Sequence, residues 1–275
     1  MTYVCLIGLG RTGMEIARAI MEQRDIELVG AICSEFSGKI GRDMGEILGL
    51  PDTGARVYAP NQIGQVIEEL KPDIFVDFSN PKATLNYMKT ISKHGLGHVI
   101  GTTGFSKTDI MRMRVLAEKN NSAILYAPNV TLGINVMMLL ANITARILKD
   151  YDFEITEAHH KYKKDAPSGT ALKIADEIGK GLEASGIEAD ESIPIHAIRA
   201  GGIVGRHQLI VAGENDKLEI IHESFSRKAF AEGALTGIRF IKDKKGFFEM
   251  RDVLELEKVL SSYFEKRKIM LYGEG

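Results

Sequence analysis

The feature that most constrains this chain is a glycine-rich turn close to its start. The turn consists of Gly8, Leu9, Gly10, Arg11, Thr12 and Gly13. It follows an apolar run at residues 3–7 and precedes a helical pattern with Met14, Ala17 and Met21 on one face. In a strand–turn–helix unit this spacing allows a tight turn, close approach of a pyrophosphate and close packing of the helix on the strand. We expect the turn to bind NADH or NADPH; the alternative is a glycine-rich turn without a ligand.

The rest of the first half repeats this strand–helix rhythm. Apolar runs alternate with amphipathic stretches, which is typical of a parallel sheet covered by helices. The predicted strands cover residues 3–7, 26–33, 55–59, 73–78, 98–101 and 123–127. Helix-start signals stand at Asn80-Pro81 and at Ser106 with Asp109. We therefore predict an α/β fold with a Rossmann-like, dinucleotide-binding domain over residues 1–128.

The pattern changes after residue 128. A long helix at 132–149, a strand at 153–159 and a helix at 168–183 precede three closely spaced strand-like runs. These runs cover residues 193–198, 204–212 and 217–224. Closely spaced strands indicate an α+β domain with a mostly antiparallel or mixed sheet. We predict this second domain over residues 129–240, and a final helix pair at 227–242 and 251–264 separated by a break at Gly246.

The charge balance excludes several classes of partner. With 35 basic and 37 acidic residues the net charge is −2, so no global charge attracts nucleic acid. No run approaches the roughly 18–20 apolar residues of a membrane span. Two cysteines cannot build a disulfide framework, which favours a reduced, cytoplasmic protein.

The end of the second predicted strand bears on the choice of cofactor. A carboxylate there binds the ribose hydroxyls of NAD, whereas a small or basic residue admits the phosphate of NADP. Glu35 favours NAD, while Ser34 with Lys39 or Arg42 favours NADP. The sequence leaves this choice open, and the alternative is that all four residues lie in a solvated loop.

Other strand ends of the first domain supply further cofactor candidates. In an open α/β sheet, ligands bind outside the carboxyl ends of the strands. The candidates are Phe78, Ser79, Gly101, Thr102, Thr103, Ala127, Pro128 and Asn129. Thr102 and Thr103 offer hydroxyl and backbone groups for a nicotinamide carboxamide; the alternative is ordinary turn chemistry.

A cationic stretch between Glu157 and Thr170 forms the second candidate site. Positive charge can reside on His159, His160, Lys161, Lys163 and Lys164. Ser168 and Gly169 then begin a helix whose free N–H groups form a second anion site. A solvated basic loop is the alternative, but tandem histidines followed by a defined turn and cap favour a site for a small anion.

Remaining titratable groups are interpreted as structural. His196, His207 and His222 lie in predicted strands, and we interpret them as packed or surface histidines. No H-E-x-x-H pattern occurs, and we predict no metal site.

Taken together, these motifs resemble the 4-hydroxy-tetrahydrodipicolinate reductase family, also called dihydrodipicolinate reductases. The resemblance covers nearly the whole length. Its most specific element is His159-His160-x-x-Lys163-x-Asp165-Ala166-Pro167-Ser168-Gly169-Thr170. Further matching segments are the glycine turn, residues 101–105, Ala127-Pro128-Asn129, Arg199-Ala200-Gly201, Gly205-Arg206-His207 and residues 248–254.

The resemblance implies a reaction and roles for these residues. NADH or NADPH gives a hydride to a cyclic imine dicarboxylate, with loss of water, making tetrahydrodipicolinate for lysine and diaminopimelate biosynthesis. His159 is implied as the general acid and Lys163 as the second catalytic residue. His160, Ser168, Gly169 and Thr170 are expected to contact the substrate. A homotetramer built through the second domain's sheet, and a C-terminal segment 241–275 that packs on the first domain, are also implied.

Two other functions fit the same residues. One is a dehydrogenase for another amino-acid-derived imine or ketone, because a fold and a cofactor turn do not name a substrate. The other is a non-catalytic, nicotinamide-binding sensor, against which the complete set of histidines, lysine and helix start argues.

Overall fold

Two separate β-sheets organise the chain, each in its own unit. The computed structural model describes residues 1–187, 193–255, 258–259 and 261–262. Unit 1 consists of Met1–Pro128 together with Ala234–Gly275, and unit 2 of Asn129–Gly233.

The chain alternates strands and helices through unit 1 before the strands of unit 2 follow one another closely. The strands are β1 (Thr2–Ile7), β2 (Ile26–Ile32), β3 (Arg56–Tyr58), β4 (Ile74–Asp77), β5 (Gly97–Ile100), β6 (Ala123–Tyr126), β7 (Asp152–His159), β8 (Ile195–Arg199), β9 (Gly205–Ala212), β10 (Lys217–Ser224) and β11 (Gly246–Glu249). The helices are α1 (Arg11–Met21), α2 (Met44–Leu48), α3 (Ile63–Leu70), α4 (Pro81–Lys93), α5 (Lys107–Lys119), α6 (Leu132–Ile147), α7 (Gly169–Glu183), α8 (Lys228–Ile241) and α9 (Met250–Val253).

Unit 1 is a seven-stranded sheet in the order β11-β6-β5-β4-β1-β2-β3. Every strand pair in it is parallel. All residues of β4, β5 and β6 are buried, because helices cover both faces of a parallel sheet. The strand order reverses between β1 and β4, which is where open α/β sheets bind ligands. The predicted Rossmann-like fold is confirmed.

The local signals in unit 1 predicted its elements well. Asn80 accepts a hydrogen bond from the Ala83 N–H at the start of α4, and Ser106 with Asp109 forms the capping box of α5. These caps fix where the helices begin because they satisfy N–H groups that have no partner within the helix.

The C-terminal prediction was partly wrong. Gly246 separates α8 from α9, as predicted, but it also begins β11, a strand that was not predicted and that pairs in parallel with β6 at the sheet edge. Of the helix predicted over 251–264, α9 forms the first turn and ends at Val253, Glu255 interrupts it with a left-handed φ of 47°, and residues 258–259 and 261–262 are again helical. Residues 256–257, 260 and 263–264 of that prediction lie outside the described residues.

Unit 2 contains a four-stranded sheet in the order β10-β9-β7-β8. The β7/β9 and β9/β10 pairs are antiparallel, whereas β7 and β8 are parallel. The connection between β7 and β8 includes α7, as a parallel crossover requires. The predicted mostly antiparallel or mixed sheet is confirmed.

One face of this sheet carries the core of unit 2. Met137 from α6 and Ile174 from α7 join Ile155, Leu209 and Val211 from the strands in one buried cluster. Side chains alternate along a strand, so the strand residues next to Ile155, Leu209 and Val211 project from the opposite face of the sheet, which we call the outer face. Ile198 and Ile221 on the outer face are 47% and 49% exposed.

None of the described helices combines the length and apolar character needed to cross a membrane.

Candidate active site

The glycine turn lies against the loop that follows β4. Gly8 has a φ of +95°, and a Cβ added there would lie 2.6 Å from the Phe78 carbonyl oxygen. A Cβ on Gly13 would lie 1.9 Å from the Gly8 carbonyl oxygen. Both positions need glycine for the chain to fold this way.

Gly10 has no such structural requirement. No atom lies within 4 Å of a Cβ added there, and its φ of −78° suits any residue. Gly10 precedes α1, whose start has no side-chain cap and no acidic residue in its first turn. The missing side chain leaves open space before unpaired N–H groups, which fits a pyrophosphate at a helix N-terminus. The residues present therefore fit a dinucleotide.

Asp77, at the end of β4, joins the loops after β4 and β5. Its Oδ1 accepts hydrogen bonds from Ser79 N (2.9 Å), Ser79 Oγ (2.5 Å) and Thr102 Oγ1 (3.3 Å). Asp77 is fully buried, and His98 Nε2 lies 3.5 Å from its second oxygen. Sequence reasoning missed Asp77, although a carboxylate at the end of an apolar buried strand was a usable signal.

The other cofactor candidates of unit 1 follow strands β2, β5 and β6. Gly101 has a packing role, since a Cβ there would lie 2.2 Å from the Phe78 ring. Thr102 is buried, whereas Thr103 is exposed. Ala127 is buried and Pro128 half-buried after β6. The structure thus places these residues at strand ends, and their contact with a cofactor stays a prediction.

The loop after β2 brings a lysine to the glycine turn. Ser34 and Glu35 are exposed. Lys39 Nζ donates a hydrogen bond of 2.8 Å to the Leu9 carbonyl, whereas Arg42 is paired with Glu46 at 2.9 Å. Of the two basic candidates, Lys39 is the one that contacts the turn.

Asn129 belongs to unit 2 and contacts a residue predicted for the substrate. Its Oδ1 accepts a 2.7 Å hydrogen bond from Thr170 Oγ1. Its buried Nδ2 has no hydrogen-bond partner among the described residues. The cofactor role predicted for Asn129 stays a prediction.

Strand register gathers the charged groups of unit 2 on the helix-covered face of its sheet. Glu157 pairs with His207 on β9, and His159 pairs with Arg199 on β8. Side chains at paired positions project on the same face. The site therefore forms where β7 and β8 end and β9 begins.

Glu157 is the centre of this site. Its side chain is fully buried and accepts hydrogen bonds from Arg199 Nη2 (2.6 Å), Arg199 Nη1 (2.9 Å), the Ser168 N–H (3.1 Å) and His159 Nδ1. Arg199 Nη2 also donates a 2.6 Å hydrogen bond to the Asp165 carbonyl. One carboxylate thus joins β7, β8 and the start of α7.

The surroundings shift the pKa values of both members of the Glu157–His159 pair. Burial works to raise the pKa of Glu157, but hydrogen bonds from Arg199 and His159 outweigh it and hold that pKa below its usual range. Burial lowers the pKa of His159 below its ordinary value, and the bond to Glu157 opposes this. Glu157 therefore stays ionised and favours a protonated His159.

His207 packs beside His159 in the same site. The two rings meet edge to face with centroids 5.2 Å apart. His207 Nε2 lies 3.3 Å from Ser168 Oγ, which itself accepts the Ala171 N–H. Burial lowers the pKa of His207 to about 3, so this ring is neutral at physiological pH.

Glycine at position 205 leaves room for the catalytic candidate. A Cβ on Gly205 would lie 3.2 Å from His159 Nε2. Because Nδ1 faces Glu157, Nε2 is the ring nitrogen left to exchange a proton with a ligand.

The remaining predicted substrate residues lie around the start of α7. Lys163 Nζ pairs with Asp165 at 2.9 Å, and the buried Nδ1 of His160 has no hydrogen-bond partner among the described residues. A Cβ on Gly169 would meet no atom within 4 Å, and the first turn of α7 contains no acidic residue. This arrangement suits a small anion.

Sequence reasoning missed three members of this site. Glu157 was seen only as the start of the cationic stretch, Arg199 only as part of a matching segment, and His207 was interpreted as structural. His207 lies beside His159, so the structural interpretation was incomplete. A charged or titratable residue on the apolar face of a strand could have indicated these site members. Arg199, for example, shares one face of β8 with Ile195 and Ala197.

Within the part of the chain that the structure describes, no group of three or more His, Cys, Asp or Glu side chains is placed to hold a metal ion.

Two family models match the chain, and together they span both units. The model "Dihydrodipicolinate reductase, N-terminus" matches residues 2–130, and "Dihydrodipicolinate reductase, C-terminus" matches residues 133–254.

Two relatives match this chain over most of their own length. The 4-hydroxy-tetrahydrodipicolinate reductases of Methanocaldococcus jannaschii and Methanopyrus kandleri are 38% and 39% identical, each over 91% of this chain and over 96% and 95% of their own lengths. A solved structure, a dipicolinate-bound dihydrodipicolinate reductase from Paenisporosarcina sp. TG-14, is 28% identical with a TM-score of 0.74. That match covers 90% of this chain and 98% of the solved chain.

Proposed function

The chain belongs to the dihydrodipicolinate reductase family, and we propose that the Glu157–His159 site of unit 2 supplies the proton for its reaction. The chain is an oxidoreductase that reduces 4-hydroxy-tetrahydrodipicolinate in lysine biosynthesis. The observation that carries the proposal is a histidine bonded to a buried carboxylate beside a helix start that can bind anions.

His159 is the proposed general acid. Reduction of an imine leaves negative charge that a nearby acid must neutralise, and a histidine is suited to this at neutral pH. Because Nδ1 is bonded to Glu157, Nε2 delivers the proton. Positioned proton transfer contributes roughly 10²- to 10⁴-fold in rate.

The α7 start and Lys163 are the proposed substrate anchors. The dipicolinate bound to the Paenisporosarcina relative is a ring with two carboxylates, and the substrate of this chain is of the same class. The N–H groups of Gly169 and Thr170, with Lys163 and His160, would hold its carboxylates. Ser168 caps α7 and binds Glu157, so its part is to fix the helix start.

The glycine turn of unit 1 would hold a reduced nicotinamide dinucleotide, NADH or NADPH, which would supply the hydride when bound. The N-terminus of α1 and the open space at Gly10 would hold the pyrophosphate. Ser34, Glu35 and Lys39 would face the ribose. Residues at the other strand ends would hold the nicotinamide: Phe78, Ser79, Thr102, Thr103, Ala127, Pro128 and Asn129.

The outer face of the unit 2 sheet is the proposed contact of a homotetramer. The exposed Ile198 and Ile221 on this face support association, since such side chains gain from leaving water. Sedimentation equilibrium should give the mass of four chains, and a monomer mass would contradict the assembly. Cys5 and Cys33 are free and buried, which supports a reducing, cytoplasmic location.

The activity is tested by the loss of reduced nicotinamide absorbance. The substrate is made in place by condensing pyruvate with aspartate semialdehyde with the upstream synthase, and NADH and NADPH are run in parallel. Rapid oxidation that depends on both precursors is expected. Binding of either cofactor without oxidation would contradict the proposal and favour a sensor.

A further inference from the structure

Glu157 neither donates the proton nor binds the anion in the steps proposed above, yet its carboxylate joins three parts of the site. Its carboxylate is fully buried and accepts hydrogen bonds from Arg199, Ser168 and His159. Burying a charge is costly unless it is paired and hydrogen-bonded. The buried Glu157 carboxylate is therefore best explained by the groups that it holds in place.

The network reaches each part of the proposed site. On β7 it orients His159 through Nδ1. At α7 it binds the Ser168 N–H beside the anion-binding helix start. Through Arg199 it extends to the Asp165 carbonyl, and Asp165 is the partner of Lys163.

We propose that Glu157 and Arg199 form a positioning pair: Glu157 keeps His159 oriented and favours its protonated form, and Arg199 holds Glu157 and the Lys163 loop in place. The pair acts through His159 and Lys163 and does not touch the substrate. This inference rests on the proposed role of His159 as the acid.

The charges around His159 explain why it needs a carboxylate. Arg199 from β8, Lys163 from the following loop and the neutral His207 from β9 surround the ring. Burial lowers the pKa of His159, and the charges of Lys163 and Arg199 lower it further. Asp165 is turned toward Lys163. Glu157 is the contact that acts in the opposite direction, so without its charge the imidazole would lose its proton at lower pH.

The same strand pair contains a matched control. Glu154 on β7 and His196 on β8 form a Glu–His pair at 2.7 Å, but on the outer face and exposed, with 43% and 64% of the side chains accessible. Removing the charge of Glu154 therefore changes the same residue type on the same strand, away from His159.

The test is the pH dependence of kcat/KM in Glu157→Gln against Glu154→Gln. When the acid must be protonated, kcat/KM is high at low pH and falls as pH rises through the pKa of His159. Loss of the Glu157 charge lowers that pKa, so the fall should begin at least about one pH unit lower, with kcat reduced roughly 10- to 100-fold near neutral pH, which is part of the roughly 10²- to 10⁴-fold that positioned proton transfer contributes. Glu154→Gln should match the unchanged protein in kcat/KM, and sedimentation of this variant checks that its assembly is unchanged, because Glu154 lies on the outer face proposed for the tetramer.

An independent readout follows the imidazole itself. The chain has seven histidines, so the Cε1–Hε1 signal of His159 is assigned by its absence in His159→Gln. Its titration midpoint should move to lower pH in Glu157→Gln. Glu157→Asp keeps the charge but shortens the side chain, so it should restore most of the midpoint while kcat stays reduced.

Arg199→Lys tests the second half of the pair, and it is used in place of Glu157→Gln if that variant does not fold because the half-buried Arg199 has lost its partner. It keeps the positive charge but loses the two-pronged contact and the bond to Asp165. We expect an unchanged pH dependence of kcat/KM and several-fold weaker binding of dipicolinate. Cofactor affinity should be retained, which shows that the chain is folded.

The role of Glu157 would be overturned if kcat/KM fell over the same pH range in Glu157→Gln as in the unchanged protein, with cofactor affinity intact. Unchanged dipicolinate affinity in Arg199→Lys would overturn the role of Arg199. The proposed function fails separately: it is contradicted if the unchanged protein binds a cofactor without oxidising it, or if His159→Gln keeps its turnover.

Discussion

The two helix starts that bind ligands in this proposal, at α1 in unit 1 and α7 in unit 2, are built in opposite ways. The α1 start is made of backbone: Gly8 and Gly13 allow the close approach, and Gly10 leaves open space. The α7 start is held by side chains, through the Ser168 cap and the Glu157 carboxylate on the Ser168 N–H. The first arrangement depends on missing side chains, the second on charged ones.

This difference follows from what each site has to do. A pyrophosphate needs only space and N–H donors, which any backbone offers once no side chain is in the way. Proton transfer needs one group held in one protonation state, and in this buried site that state depends on hydrogen bonds and neighbouring charges that offset burial. An added side chain should therefore impair ligand binding at the α1 start, whereas loss of a charge should impair proton transfer at the α7 start.

The largest effect is expected from His159→Gln. Without the acid, kcat should fall roughly 10²- to 10⁴-fold, while NADH or NADPH affinity in unit 1 is unchanged. Turnover is measured by nicotinamide absorbance and affinity by nicotinamide fluorescence. His196→Gln, on the outer face of β8, is the control and should leave both intact, and its sedimentation checks that the assembly proposed through this face is unchanged. A collapse of cofactor affinity in His159→Gln would contradict the separation of the two sites.

Gly10→Val and Gly169→Val test the two helix starts against each other. Neither new Cβ meets an atom within 4 Å, so thermal stability should hold in both variants. Gly10→Val should weaken cofactor binding, and Gly169→Val should weaken dipicolinate binding, each about 10- to 100-fold, because each blocks hydrogen bonds to a charged group worth about 1.5–3 kcal/mol. Calorimetric titration of both ligands on both variants gives the four values. Equal losses of both ligands in one variant would break the comparison.

Asp77→Ala tests whether the α1 region also depends on a buried charge. Ser79 and Thr102 lose their acceptor, which costs about 1–3 kcal/mol of unfolding free energy. Cofactor affinity should fall several-fold because the loops after β4 and β5 are no longer tied. Asp43→Ala removes another buried carboxylate of unit 1, the cap of α2, and should cost stability without the loss of affinity. Urea unfolding and cofactor titration separate the two outcomes.

The smallest effect is expected from Lys39→Ala. Lys39 contacts the glycine turn, so its charge should favour the extra phosphate of NADPH. NADPH affinity should fall about 3- to 10-fold, as expected for a solvent-screened ion pair worth about 1 kcal/mol, with NADH affinity nearly unchanged. Arg42→Ala, whose side chain is paired with Glu46, is the control. A larger loss of NADH than of NADPH would reverse the assignment of Lys39.

The same contrast explains how much the sequence could predict. The glycine turn and the capping residues Asn80 and Ser106 act within a few positions, so their pattern is visible in the chain itself. The partners of Glu157 are not, because Arg199 and His207 reach it only through strand pairing 42 and 50 positions away. β11 was missed because a four-residue strand that begins at a glycine shows little periodicity, and its position in the sheet depends on pairing with β6.

Strand β11 also has a consequence for the order in which the protein is made. Residues 246–249 complete the sheet of unit 1, yet the ribosome reaches them only after all of unit 2 has been synthesised. Until then β6, buried in the finished protein, is an open edge with unpaired backbone groups. Synthesis passes through a stage at which unit 1 is exposed to pairing with other chains, and a fragment that stops at residue 128 retains that exposed edge permanently.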